Sequence, residues 1–200
     1  DAAAAARAAL ALWDRPPPPD LADRLLALGA GVPVWWVGAA CMMRGVGEAL
    51  SPLPSGGVPP APILLVNPGV GLSPPAVFKA REAPFSPSLA ADWSATSTVD
   101  ALLAALGDTR NALEPPARAI ARAVGETLDL LARLDGVRLA RMSGSGATCF
   151  ALFDDDAAAA RAQADVAALR PAWWSAATRL LDRPVAASVW SAEIADEAAF

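Results

Sequence analysis

The 200-residue chain contains no histidine, no tyrosine and only two cysteines, Cys41 and Cys149. Without histidine there is no imidazole base for a Ser-His-Asp or Cys-His arrangement. Two thiols are also too few for a multi-ligand zinc site, and no metal ligands are expected from the chain. Two cysteines in a chain of this length read as reduced thiols of a cytoplasmic protein, not as a disulfide framework. Charge is scarce as well. Charged residues make up 18%, the net charge is −5 and no basic block occurs, so no nucleic-acid partner is expected. Lys79 is the only lysine among sixteen basic residues, a bias that reads as GC-rich coding and not as function.

What the chain has in quantity is apolar side chain, 54%, enough for a sizeable core and incompatible with wholesale disorder. One stretch between Arg24 and Arg44 has nineteen uncharged residues, the length of a membrane span. Gly29, Gly31, Pro33 and Gly38 interrupt it, so it reads as helix, glycine turn and strand, and no membrane partner is expected. In this parse Asp20 caps a helix "DLADRLLALG", Gly29 ends it, and "VPVWWVG" is the strand, with Pro33 near its start.

The opening "DAAAAARAALALW" lacks the basic start and unbroken apolar core of a signal peptide. It reads as an alanine-rich helix beginning at or before Asp1, which suits a cap or first-turn position. A chain truncated at its N-terminus is the expectation. Further along, "SPLPSGGVPPAP" is a Pro/Gly connector. "ILLVNPG" is apolar without alternation, the pattern of a strand buried on both faces. Residues 82–98 form a polar loop and "TVDALLAAL" a short helix. The spacing of Ala117, Ile120, Ala121, Val124, Leu128, Leu131 and Leu134 predicts one helix from Glu114 to Leu134. Strands "VRLARM" and "ATCFALF" follow, then a helix capped within Asp154–Asp156, and strand "WWSAATRLL". This order is a split βαββαβ pattern, an α+β fold of ferredoxin-like type with helices on one face of the sheet.

Between the two central strands stands Gly144-Ser145-Gly146. Two glycines there supply either a plain strand connection or a backbone able to approach a phosphate more closely than a Cβ permits. The wider sequence bears on that choice. Five ordered blocks, "LGAGVPVWWVG", "MRGVGE", "VNPGVGLSPPAVFK", "TRNALEPPA" and "RMSGSGATCFALF", resemble those of the 4-diphosphocytidyl-2-C-methyl-D-erythritol kinase family of the GHMP kinase superfamily. The resemblance covers roughly residues 1–181.

The resemblance implies a division into residues 1–50 as the end of an N-terminal domain, 51–62 as linker and 63–181 as the C-terminal domain. The tail 182–200 is unassigned. It implies ATP-dependent phosphorylation of the 2-hydroxyl of a cytidine-diphosphate-linked substrate, with Mg²⁺ accompanying ATP, in isoprenoid precursor synthesis. Ser143, Gly144, Ser145 and Gly146 would lie on the phosphate side of a cleft, with Asp1 nearby at a helix N-terminus and the "GAGVP" turn on the same cleft. Val46, Pro74 and Phe78 would face the cytidyl substrate, Phe78 by stacking on the cytosine or, alternatively, as a plain core aromatic. The family's phosphate loop and catalytic lysine have no counterpart in these residues.

Three positions depart from the family. Gly31 occupies the place of the catalytic aspartate of "GADVP", so the base is absent. Pro74 stands where the family has a threonine, and Ala112 replaces the aspartate of "RNDLE". Glu48, which could be read as a second acid, reads as a solvated loop charge. The resemblance therefore implies a small-molecule kinase whose activity in this chain is impaired. The rival reading is a catalytically dead GHMP-fold fragment acting in binding or association. Apolar residues of the first helix, Leu10, Leu12 and Trp13, would promote dimerisation or aggregation.

Overall fold

The structure, a computed structural model, describes residues 2–54, 58–82, 84, 93, 96–107 and 109–181. Asp1 and the tail 182–200 lie outside the described residues, as does most of the polar loop 82–98. The chain divides into two compact units, one built from residues up to Val58 and the other from Pro59–Leu181.

The first unit contains helices α1 (Ala2–Leu12), α2 (Leu21–Leu28) and α3 (Val32–Val37), then a hairpin of β1 (Cys41–Arg44) and β2 (Ala49–Pro52). Alanine, the best helix former, accounts for α1. Ala3 and Leu25 are buried, whereas Leu12 and Trp13 remain 79% and 67% exposed. Asp20 precedes α2 but makes no side-chain cap; its carboxylate instead meets Arg24 one turn on, at 2.8 Å. Gly29 ends that helix as expected.

The segment "VPVWWV", expected as a strand, is helix α3. Valine and tryptophan favour strands only as a half-buried pleated surface does, and tertiary context overrides that preference. Pro33 sits in the first turn, where its missing N–H costs nothing. Gly38, left-handed at φ +63°, closes the helix by donating to the Val34 carbonyl at 3.0 Å. Arg7 of α1 donates to the carbonyls of Trp35 and Trp36 and lies 5.5 Å from the Trp36 ring centroid. The carbonyls it reaches are ones that a helix end leaves without partners.

The second unit contains β3 (Pro62–Asn67), α4 (Pro74–Lys79), α5 (Val99–Gly107), α6 (Glu114–Ile120), α7 (Arg122–Leu131), β4 (Val137–Met142), β5 (Cys149–Phe153), α8 (Asp156–Leu169) and β6 (Trp174–Arg179). The four strands form one antiparallel sheet in the order β4-β5-β3-β6, the arrangement that a split βαββαβ chain produces. Central β3 pairs on both edges, Leu64 opposite Ala151 of β5 and Ala177 of β6, which explains its unbroken apolar run.

Helices α4, α6, α7 and α8 cover one face, where Val77, Ala117, Val124, Leu128 and Val166 pack on Leu64, Val66, Cys149 and Phe153. Each fully buried large side chain there contributes roughly 1.5–3 kcal/mol. The short α5 lies against the other face, Val99, Leu103 and Leu106 meeting Ile63 and Leu152. Asp155 caps α8, its carboxylate accepting the Ala158 N–H at 2.7 Å.

The helix predicted over Glu114–Leu134 is two helices. Ala121 is extended (φ −132°, ψ 98°), so α6 folds back on α7 and Ile120 turns outward, 48% exposed. Arg118 of α6 holds the fold by pairing with Glu114 at 3.0 Å and with Asp129 of α7 at 3.2 Å. Gly125 leaves room for it: a Cβ there would stand 3.3 Å from the guanidinium.

Candidate functional site

Three of the sequence blocks meet at one end of the second unit's sheet. The turn between β4 and β5 closes by two backbone bonds, Ser143 N–H to Thr148 O and Gly146 N–H to Ser143 O, both 2.9 Å. Gly144 and Gly146 adopt positive φ of +55° and +85°. At Gly146 space is also limiting, since a Cβ would come within 2.9 Å of Met142 Sδ and 3.1 Å of Leu72 Cδ2. Ser143 and Gly144 are exposed, Ser145 and Gly146 half-buried. The N–H groups of Gly144 and Ser145 have no acceptor among the described residues. Backbone amides left without an acceptor are what an anion-binding turn requires.

Two asparagines that the sequence reading did not single out hold this turn. Asn111 donates through Nδ2 to the carbonyls of Met142 (2.9 Å) and Gly144 (2.7 Å), while its Oδ1 accepts the Leu113 N–H at 2.9 Å. Asn67, at the end of β3, donates to Thr148 Oγ1 at 2.9 Å and accepts the Gly69 N–H at 2.8 Å. The signal in the sequence was an asparagine beside a turn residue in each block, "NPG" and "RNA", the type that bonds nearby backbone.

In the same unit Pro74 opens α4 and is exposed. Phe78 is 61% exposed on that helix, so the alternative of a core aromatic does not hold. Ala112 lines an open depression of about 540 Å³, together with Arg81 after α4 and Pro115, Pro116 and Ala119 of α6.

Gly31 and Val46 belong to the first unit, and the structure brings their blocks together. Gly47, at φ +123°, passes so close to the Ala30 carbonyl that a Cβ would lie 2.0 Å from its oxygen. The β1–β2 turn carrying Val46, itself 72% exposed, thus rests against the Gly29–Gly31 turn. Glu48 is a staple of this turn: its carboxylate accepts the Val46 N–H at 2.7 Å. The N–H groups of Glu48 and Val46 hold its carboxyl below the usual carboxylate range. Gly31 is exposed, in helical conformation (φ −86°, ψ −8°), and a Cβ there would meet nothing closer than Trp35 Nε1 at 4.0 Å.

Neither cysteine is poised as a nucleophile. Burial raises the thiol of half-buried Cys41, and burial first, then the charge of Glu114, pushes that of Cys149 up to about 12. Among the described residues no group of three or more Cys, Asp or Glu could hold a metal ion, and no helix is long and apolar enough to cross a membrane.

The sheet has βαββαβ connectivity, and the Gly144 and Ser145 amides of its central turn have no acceptor among the described residues. The family model described as "GHMP kinases C terminal" matches residues 93–171. The "4-diphosphocytidyl-2-C-methyl-D-erythritol kinase" of Paramagnetospirillum magneticum is 47% identical over 184 residues, covering 90% of this chain and 63% of that protein. That of Cereibacter sphaeroides is 46% identical over 183 residues, covering 90% and 64%. A crystal structure of "4-(cytidine 5'-diphospho)-2C-methyl-D-erythritol kinase" superposes with TM-score 0.68 at 34% identity, covering 89% of this chain and 62% of that one. The chain therefore carries a GHMP kinase C-terminal domain, and over most of its length it is similar to proteins named as 4-diphosphocytidyl-2-C-methyl-D-erythritol kinases. It spans a little under two thirds of the length of the relatives it matches.

Proposed function

We propose that the protein takes part in the ATP-dependent phosphorylation of the 2-hydroxyl of 4-diphosphocytidyl-2-C-methyl-D-erythritol. This is a step of cytoplasmic isoprenoid precursor synthesis by the methylerythritol phosphate route. In this reaction the substrate oxygen bonds to the γ-phosphorus of ATP, the bond to ADP breaks, and the hydroxyl proton leaves to a base. Mg²⁺ enters with ATP. The observation that carries the reading is the turn at Ser143–Gly146, whose Gly144 and Ser145 amides lack acceptors among the described residues and whose glycines admit close approach. The exposed ring of Phe78 is proposed to stack on the cytosine, with Pro74 at the start of the same helix lining the same substrate. Because Gly31 supplies no acceptor, transfer at a site completed by a relative's N-terminal segment is slow: a positioned base is worth roughly 10²–10⁴-fold.

The test joins these residues behind the N-terminal segment of the Paramagnetospirillum magneticum relative and follows transfer from labelled ATP. Weak transfer to the cytidyl substrate, reduced at least tenfold by Phe78→Ala, is expected. Absence of any transfer, with ATP bound, would sink the assignment.

The second reading, a non-catalytic fragment acting by association, is favoured by one observation: Leu12, Trp13, Leu28 and Trp35 of the first unit are each more than 60% exposed. Patches of this kind promote self-association. Sedimentation of the purified 200 residues at micromolar concentration is expected to show dimers or larger species, and Trp13→Ser with Leu12→Ser to shift them toward monomer. A monomer from the start would remove the support for this reading.

A further inference from the structure

The trans peptide is planar, with its carbonyl and N–H on opposite sides. Whatever fixes the Gly144 carbonyl therefore also aims the N–H of Ser145. Gly144 is an unstable place for that choice. It sits at φ +55° with nothing within 4 Å of where its Cβ would be, so on the Gly144 side no side chain of its own fixes the Gly144–Ser145 peptide. Among the described residues, the one side-chain group that holds that carbonyl is Asn111 Nδ2, at 2.7 Å. The amide of Asn111 is itself immobilised, since Nδ2 also reaches Met142 O and Oδ1 takes the Leu113 N–H.

Resting on the phosphate-side reading of the turn given above, we propose that Asn111 is a positioning residue for phosphoryl binding. By anchoring the Gly144 carbonyl it selects the peptide orientation in which Ser145 N–H donates to a phosphoryl oxygen. Asn67 holds the other limb, through Thr148, and does not touch the Gly144 carbonyl. It stabilises the same turn without setting that orientation, which makes it the control.

The experiment is an amide NMR titration of the ¹⁵N-labelled 200-residue chain with pyrophosphate, comparing wild type, Asn111→Ala and Asn67→Ala. In the wild type the Ser145 amide is expected to shift on titration. Asn111→Ala is expected to weaken that response about tenfold or more, the worth of one hydrogen bond to a charged group. Asn67→Ala is expected to leave it within about twofold even where its melting temperature falls as far. Equal weakening in both variants, or none in Asn111→Ala, overturns the inference while leaving the phosphate site in place. A wild-type chain whose Ser145 amide ignores pyrophosphate overturns the phosphate reading of the turn and the inference with it. Asn111→Asp, which keeps the acceptor for Leu113 and deletes both donors, serves if the alanine variant does not fold. There the readout is without ligand: the Gly144 and Ser145 resonances, single in the wild type, are expected to broaden as two peptide orientations exchange. Sharp, unshifted resonances in Asn111→Asp count against the proposal.

Discussion

Gly31→Asp, introduced together with the N-terminal segment of a close relative, is expected to raise phosphoryl transfer by about 10²-fold or more over the same chimera with Gly31 kept. The backbone permits the change. Gly31 has ordinary helical dihedrals and open space around its missing Cβ, so an aspartate there needs no left-handed strain and displaces no neighbour. It also precedes α3, where a carboxylate interacts favourably with the helix N-terminus by a few tenths of a kcal/mol. The variant should therefore be no less stable than its parent. A gain in rate can then be assigned to proton acceptance and not to better folding. The gain should fall on kcat, with the KM for the cytidyl substrate little changed, because a base acts on the transition state more than on binding. In the 200 residues alone the same substitution should yield no turnover. A base is useless to a hydroxyl that has no γ-phosphate held beside it. Substantial transfer by the chimera with Gly31, unimproved by aspartate, would show that the base lies elsewhere or that transfer proceeds without one, as a reaction governed by positioning and charge allows.

The sheet of the second unit was legible because its signals are local and consistent. An apolar run bounded by Pro and Gly marks β3, an Asp-rich cap marks α8, and glycines mark the β4–β5 turn. What was not legible depends on partners far away in the chain. "VPVWWV" has the composition of a strand, and only Arg7, twenty-eight residues upstream of Trp35, shows what satisfies the end of the helix it forms. The break at Ala121 carries no glycine or proline at that point. It goes with a contact the local sequence does not announce, Arg118 reaching Asp129 across eleven residues. The candidate site divides in the same way. Gly31, Val46 and Phe78 were named through motif resemblance, and the Gly-Ser-Gly turn by its two glycines as well. Asn67 and Asn111 were missed because an asparagine's acceptors are set by the tertiary fold. Asn67 reaches Thr148 over eighty-one residues.

Stability should fall steeply between about pH 9 and pH 12, and Cys149 should be the cause. Its thiol is fully buried in the sheet's helix-covered face, Sγ 3.7 Å from the Ala147 carbonyl, and burial pushes its pKa from 9.0 up to about 12. Below pH 9 both states keep the proton and the folded state has its full stability. Between the two values the unfolded chain releases the proton while the folded chain retains it. Unfolding then binds fewer protons and becomes easier with each step in pH. The limiting slope is about 1.4 kcal/mol per pH unit, so the total loss approaches about 4 kcal/mol by pH 12, a large part of a typical domain's stability. The composition makes this visible, because the chain has no tyrosine and a single lysine to add to the alkaline limb. Cys41, raised in the same direction but only half-buried, contributes the remainder. Urea unfolding followed by tryptophan fluorescence at pH 7, 9, 10 and 11 measures it, seven tryptophans reporting without tyrosine background. Cys149→Ala is expected to lower stability at pH 7 by about 1 kcal/mol through the space the sulfur leaves. It should nevertheless flatten the curve, so that the variant equals or exceeds the wild type near pH 11. Parallel curves for the two proteins would show that the buried thiol is not the group that titrates.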